Sequence, residues 1–128
     1  MRVVFMGNPE FAIPTLKLLQ KSRHDLLAVV SNKPKPMGRG RILKSTPVGQ
    51  FAKKNKIKLL EPDDLNAIDF KNQLENFEAD IFLVVAYRIL PKKIIELPKY
   101  GAINLHVSLL PKYRGAAPIQ WALMNGDT

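Results

Sequence analysis

Ile81-Phe-Leu-Val-Val-Ala86 is the most apolar run of the chain and decides the fold. A strand covered by helices on both faces is apolar throughout rather than alternating, so this run reads as a central parallel strand. Upstream of it, Phe70, Leu74 and Phe77 recur at i, i+4 and i+7, the spacing of one helix face, with Asp63 or Asp64 as the expected cap. Downstream, Tyr87-Arg88-Ile-Leu-Pro91 turns into a short helix that stops before Pro98. Further out, Val3–Met6 and Leu26–Val30 read as buried strands and Ile57–Leu60 as an edge strand. Helices fill the gaps. One is expected over Glu10–Gln20, packing through Phe11, Leu16 and Leu19, with Pro14 harmless in its first turn. Another starts at Thr46-Pro47, an N-cap followed by proline at the first helical position, and packs through Val48, Phe51 and Ala52 before ending near Asn55. Strands alternating with helices at this spacing predict βαβ units and an α/β fold with a doubly wound, mostly parallel sheet.

The stretch Gly101-Ala-Ile-Asn-Leu-His-Val-Ser-Leu-Leu-Pro111 is the candidate for chemistry. Read as a strand, it places Asn104, His106 and Ser108 on one face and Ile103, Leu105 and Val107 on the other. Open α/β sheets bind ligands at the carboxyl ends of their strands, where this polar row would emerge. An asparagine amide and a histidine side by side can both donate towards one oxygen, which suits stabilising an oxyanion as a nucleophile adds to a carbonyl. His106 can instead transfer protons, or be a core histidine satisfied by backbone. Ser108 has no evident base–orienter pair, so a serine-hydrolase triad is not supported. One histidine without nearby cysteine or carboxylate does not complete a metal site, so no metal is expected. Beyond a basic loop with Lys112 and Arg114, a helix from Pro118 to Asn125-Gly126 is expected to bury Trp121 among core residues by its helical spacing. Only two residues follow, so the sheet is expected to be incomplete at its C-terminal end.

The chain has 128 residues, 46% apolar and 24% charged, the composition of an ordinary globular domain. It has no cysteine, which removes disulfide and thiolate chemistry. No apolar run reaches the length of a membrane span and no signal peptide opens the chain, so a cytoplasmic protein without membrane association is expected. A single glycine after the first strand is not a G-x-G-x-x-G, so nicotinamide or flavin binding has no support. The net charge is +9, which points to a polyanionic partner. Ser31 to Lys44 carries Lys33, Lys35, Arg39, Arg41 and Lys44 and no acid; subtracting these five leaves +4 for the other 114 residues. This segment reads either as a solvated connection or as an arm that contacts phosphates.

Asn104-Leu-His106-Val-Ser-Leu-Leu-Pro111 resembles the N-x-H-x-S-L-L-P signature of the folate-dependent formyltransferases. Tyr113-Arg-Gly-Ala-Ala-Pro-Ile-Gln120, Asn125-Gly-Asp127, Met6-Gly-Asn-Pro-Glu-Phe-Ala12 and Pro36-Met-Gly-Arg-Gly-Arg41 are similar to the branch of that family acting on methionyl-tRNA. The sugar-nucleotide enzymes share the motif but carry arginine where Ala116 stands and lack the opening segment.

The resemblance implies a Rossmann-like domain of which residues 1–128 are the N-terminal part, followed in relatives by an OB-like domain. It implies formyl transfer from 10-formyltetrahydrofolate to the amino group of initiator methionyl-tRNA, by an enzyme expected to act as a monomer. Asn104 and His106 become catalytic. Ile89, Leu90 and Pro91, with Ser108, Leu109, Leu110 and Pro111, would line the folate pocket, chiefly through backbone. Lys33, Lys35, Arg39, Arg41 and Lys44 would touch the tRNA acceptor arm, and Phe11 would border the methionine side chain. The family often has glycine where Val107 stands and after the tyrosine matching Tyr87, where this chain has Arg88 in a shorter turn. The catalytic aspartate of relatives lies beyond the last helix and outside these 128 residues, so the chain alone is expected not to turn over. The rivals are a formyltransferase acting on another amine, such as a sugar nucleotide, and a non-catalytic module binding folate or RNA.

Overall fold

The computed structural model describes residues 1–107 and 119–124. In chain order its elements are β1 (Arg2–Gly7), a 3-10 turn (Glu10–Ala12), α1 (Ile13–Lys21), β2 (Asp25–Val30), β3 (Lys35–Met37), β4 (Ile42–Lys44) and α2 (Pro47–Lys54). Then follow β5 (Leu59–Leu60), α3 (Ile68–Asn76), β6 (Ile81–Val85), α4 (Lys92–Ile95), β7 (Ala102–Val107) and β8 (Ile119–Met124). The main sheet runs β5-β2-β1-β6-β7-β8. Its first five strands are parallel and β8 pairs antiparallel with β7. Counted among the parallel strands alone, that order is 3-2-1-4-5, the Rossmann order, and it reverses between β1 and β6. A crevice for a ligand is expected at the carboxyl end of that junction.

Side-chain alternation along the strands divides the core in two. Val4, Met6, Phe82, Val84 and Ala102 pack with Phe70 and Leu74 of α3 and Ile94 and Ile95 of α4. Val3, Phe5, Val29, Val85 and Leu105 pack with Leu16 and Leu19 of α1 and Val48 and Ala52 of α2. The sheet is therefore doubly wound, as the alternation of strands and helices predicts. β1 and β6 approach closely at Gly7, where an added Cβ would stand 2.6 Å from the Val85 carbonyl oxygen. No side chain fits there.

Three expectations are corrected. Ile119–Met124 is not a helix but a strand that extends the sheet beyond β7. Ile119, Trp121 and Leu123 alternate with a period of two, and pairing β7's free edge outweighs the helical spacing of Leu123 and Met124. Helix α3 is capped by neither Asp63 nor Asp64; its N-cap is Ala67, without a side-chain bond. Asp64 instead closes a turn of its own, its Oδ1 accepting the Asn66 N–H at 2.9 Å and its carbonyl the Ala67 N–H at 3.1 Å. The basic segment, read from sequence as a connection or arm without strands, contains β3 and β4 paired as an antiparallel hairpin. Pro36 belongs to β3 without penalty because an isolated two-stranded ribbon consists of edges only.

Candidate functional site

Because β2, β1, β6 and β7 are parallel, their carboxyl ends share one edge of the sheet. Asn104 lies level with Val84 on β6 and Ala122 on β8, and His106 opposite Gln120. Both share the face of Ala102, which is buried in the α3–α4 core, so the polar row rises from an apolar floor towards that edge. Asn104 is half-buried and His106 exposed. An amide on a partly dry floor beside an imidazole reaching into solvent suits holding an oxygen at the first and exchanging a proton at the second. Ser108, Leu109, Leu110 and Pro111, with Lys112 and Arg114, lie outside the described residues.

The turn after β6 forms the next wall. Ala86 adopts φ 54°, a left-handed conformation costing a side-chain-bearing residue about 1–3 kcal/mol, and its carbonyl accepts the Asn8 N–H at 3.3 Å. Arg88 braces the turn. Its Nη1 donates to the Asp63 carbonyl at 3.0 Å and its Nη2 to the Pro62 carbonyl at 3.1 Å and the Tyr87 hydroxyl at 3.3 Å. The guanidinium also lies 5.5 Å from the Tyr87 ring centre. Arg88, read from sequence only as a departure, thus ties the β6–α4 turn to the loop after β5. Of the expected folate-pocket residues, Ile89 is exposed, Leu90 is buried in the α3–α4 core, and Pro91 caps α4. Leu90 has only backbone to offer a ligand.

Burial raises the Tyr87 pKa, against the smaller opposing effect of its bond to Arg88 and of that residue's charge. A raised folded-state value means stability that is complete below the ordinary tyrosine pKa of about 10 and falls as pH rises through the folded one. Tyr87→Phe is therefore expected to flatten the alkaline limb of the stability curve above about pH 10, as read by urea unfolding across pH. An unchanged limb would mean that other groups govern it.

The basic hairpin leaves the carboxyl end of β2, on the same edge. Lys35 stands directly opposite Lys44, and Met37 opposite Ile42. Like charges facing across two strands repel, so this arrangement is relieved by a polyanion. Arg39 and Arg41 occupy the turn, where Gly38 and Gly40 take φ 70° and 79°. Lys33 forms an exposed ion pair with Asp63 at 3.0 Å, weak enough for a phosphate to displace. Phe11 is exposed in the turn between β1 and α1.

Ser31 and Asn8, which composition and spacing did not single out, hold the base of this hairpin together with the expected N-cap Thr46. The Ser31 hydroxyl is fully buried and donates to the Gly7 carbonyl at 2.6 Å, with Asn8 Oδ1 at 3.0 Å as alternative acceptor, and it also bonds the Thr46 hydroxyl. Asn8 Oδ1 accepts the Asn32 N–H at 2.9 Å. For Ser31 the sequence signal was a serine directly after the buried run ending at Val30. A separate apolar groove, lined by Leu18, Ile81, Leu83, Ile103 and Leu105, opens on the opposite sheet face from Asn104 and takes no part in this site.

The family model described as "Formyl transferase" matches residues 1–128. Methionyl-tRNA formyltransferase of Acetivibrio thermocellus is 47% identical over 128 residues, covering 99% of this chain and 41% of that protein. The enzyme of the same name from Pelotomaculum thermopropionicum is 51% identical with the same coverage. The chain thus spans about two fifths of the length of the curated relatives it matches. Among solved structures, phosphoribosylglycinamide formyltransferase of Anaplasma phagocytophilum superposes with TM-score 0.66 at 18% identity, over 99% of this chain and 66% of that one. The Brucella melitensis protein of that name gives 0.63 at 18% identity, over 98% and 73%. At that identity the likeness is one of fold.

Proposed function

Since the chain belongs to the formyl transferase family, we propose that it is the N-terminal part of the catalytic domain of a methionyl-tRNA formyltransferase of the cytoplasm. Its substrates are then 10-formyltetrahydrofolate and the α-amino group of initiator methionyl-tRNA, and its product serves translation initiation. One observation carries the reading: the Asn104–His106 face and the five-cation hairpin stand on the same edge of the sheet. Three strand spacings separate β2 from β7, about 14 Å, so an acceptor end held by the hairpin can bring its terminal amine to the polar face.

The roles follow from position. Asn104 donates from its amide to the formyl oxygen and stabilises the charge that grows there as the amine adds. His106 holds or relays the proton that leaves the amine, while the bond from the formyl carbon to the folate nitrogen breaks and that nitrogen takes up a proton. Backbone at Ile89, Leu90 and Pro91, with Ser108 to Pro111, borders the folate, and Phe11 borders the methionine side chain. The 128 residues alone bind tRNA but do not turn over, because help from a positioned carboxylate is worth about 10²–10⁴ in rate and the family's aspartate is not among them. The hairpin favours this acceptor over a small sugar nucleotide, which has too few phosphates to engage five cations.

The test is binding of methionyl-tRNA across a salt series. Replacing Arg39 and Arg41 together by alanine is expected to weaken binding and to flatten the plot of log K against log salt by about two units. An unchanged slope and affinity would return the hairpin to a solvated connection. Formylation of a sugar-nucleotide amine in preference to methionyl-tRNA, by a polypeptide of the relatives' length, would move the reading to that branch.

A further inference from the structure

We propose that Asn8, Ser31 and Thr46 form a clasp that sets the direction of the basic hairpin, making them positioning residues for the RNA. The clasp rests on the reading of the hairpin as the RNA-facing arm. The hairpin cannot hold its own direction. Its strands have three residues each, an isolated two-stranded ribbon is marginal in water, and Lys35 repels Lys44 across it. Met37, Ile42 and Leu43 are all exposed, so among the described residues no apolar packing seats it on the body. Its order must come from its two legs.

Both legs meet at one knot. The entering leg supplies Ser31 and Asn32, and the returning leg supplies Thr46. The Gly49 N–H donates to the Thr46 hydroxyl at 3.0 Å, Thr46 donates to Ser31, and Ser31 donates to the Gly7 carbonyl at 2.6 Å. Each hydroxyl thus accepts one bond and gives one, which leaves neither unsatisfied in a buried setting. Asn8 ties the knot to the body: its side-chain oxygen accepts from Asn32, its backbone N–H donates to Ala86, and its carbonyl accepts the Val48 N–H at 3.2 Å. The entering leg is thereby joined through the Asn8 side chain, and α2 and the turn after β6 through its backbone, at one residue. Ser45 adds a second tie on the returning leg, donating to Glu61 at 2.7 Å while accepting from Lys53 at 2.7 Å.

The lever is long. Six extended residues from Lys33 to Gly38 reach about 20 Å, so a tilt of about 10° at the base moves the turn arginines by about 3.5 Å. A charged contact to phosphate needs about 2.7–2.9 Å, so the arginines reach their phosphates only once that swing is restricted, and a loose base adds that ordering cost to binding.

The chain contains no cysteine, which permits a clean pair of spin labels at Leu43→Cys, on the exposed returning strand, and Glu75→Cys, at an exposed position of α3. In this background a narrow distance distribution is expected, and Ser31→Ala should broaden it about twofold or more. The same substitution should weaken tRNA binding about tenfold with an unchanged salt slope, because all five cations remain and only their preorganisation is lost. Thr46→Ser, which keeps the hydroxyl, should match the parent on both readouts. Phe82→Leu, a core change away from the knot, should lower stability and leave both untouched. An unbroadened distribution in Ser31→Ala overturns the clasp, whatever the RNA does. A broadened distribution with unchanged affinity overturns the hairpin as the RNA arm, and the positioning role with it. If Ser31→Ala does not fold, Asn8→Ala, at a half-buried position, carries the same two readouts.

Discussion

Asn104→Ala, carried on a polypeptide of the relatives' full length, is expected to slow formyl transfer to methionyl-tRNA by about 10²–10³, the usual cost of losing one oxyanion donor. The size follows from where the amide sits. Asn104 is half-buried, beside Val84, on the face whose neighbour Ala102 is fully buried, so little water is present to replace a lost donor. In the proposed role its target is charge that exists only as the amine adds, so the loss should fall on kcat, with affinity for methionyl-tRNA within about twofold of the parent. Asn104→Asp should be no better, because a carboxylate accepts where the reaction needs donation. Single-turnover formylation with saturating 10-formyltetrahydrofolate checks both variants. A rate within threefold of the parent would reduce Asn104 to a strand residue and put the chemistry elsewhere on the edge.

Phe82→Ala is expected to cost about 3–5 kcal/mol of stability, a large part of the 5–15 kcal/mol typical of a whole domain. Phe82 is fully buried in the central strand, within the core under α3 and α4. Close-packed neighbours from a sheet and two helices cannot collapse into the space its ring leaves. The urea midpoint should drop by about 2 M, given slopes of about 1–3 kcal/mol per M for small proteins. Leu123→Ala is the contrast: that side chain is 72% exposed, and its loss should lie within about 0.5 kcal/mol of zero. Urea titrations followed by circular dichroism decide both. A small effect at Phe82 would mean that the core under α3 and α4 collapses into the space the ring leaves.

What the sequence made legible is what one residue's neighbours along the chain decide. Ile81–Val85 announced a strand covered on both sides, and Thr46-Pro47 announced a helix start that the Gly49 N–H completes. The Rossmann-like strand order follows from that alternation. The misreadings have a common cause. Ile119 to Met124 satisfies helical and strand spacing at once, and the choice falls to β7, whose free edge no local pattern reveals. Lys35–Met37 and Ile42–Lys44 are too short and too exposed to leave an alternating signature. The clasp was invisible for a stronger reason. Ser31 and Thr46 are 15 positions apart and Asn8 is 23 from Ser31, and hydrogen bonds across such spans belong to the folded chain alone. At the candidate site, the residues proposed to react were readable as a motif on one strand face, whereas those proposed to hold the hairpin in place were not.

The pairing of β1 with β6 also governs how such a chain can acquire its shape while it is being made. The Arg2 N–H meets the Asp80 carboxylate at 2.8 Å across 78 positions, and Val3 to Gly7 pair with Ile81 to Val85. At about 5–20 residues per second, the ribosome takes about 4–16 s to synthesise that stretch. Through that interval β1 has β2, α1 and α2 for company but its other edge is bare, and the core around Val4 and Met6 still lacks Phe82 and Val84. The nascent chain thus passes through a half-closed stage, and a slower codon stretch before residue 81 should lengthen its exposure to chaperones and to mispairing with other edges.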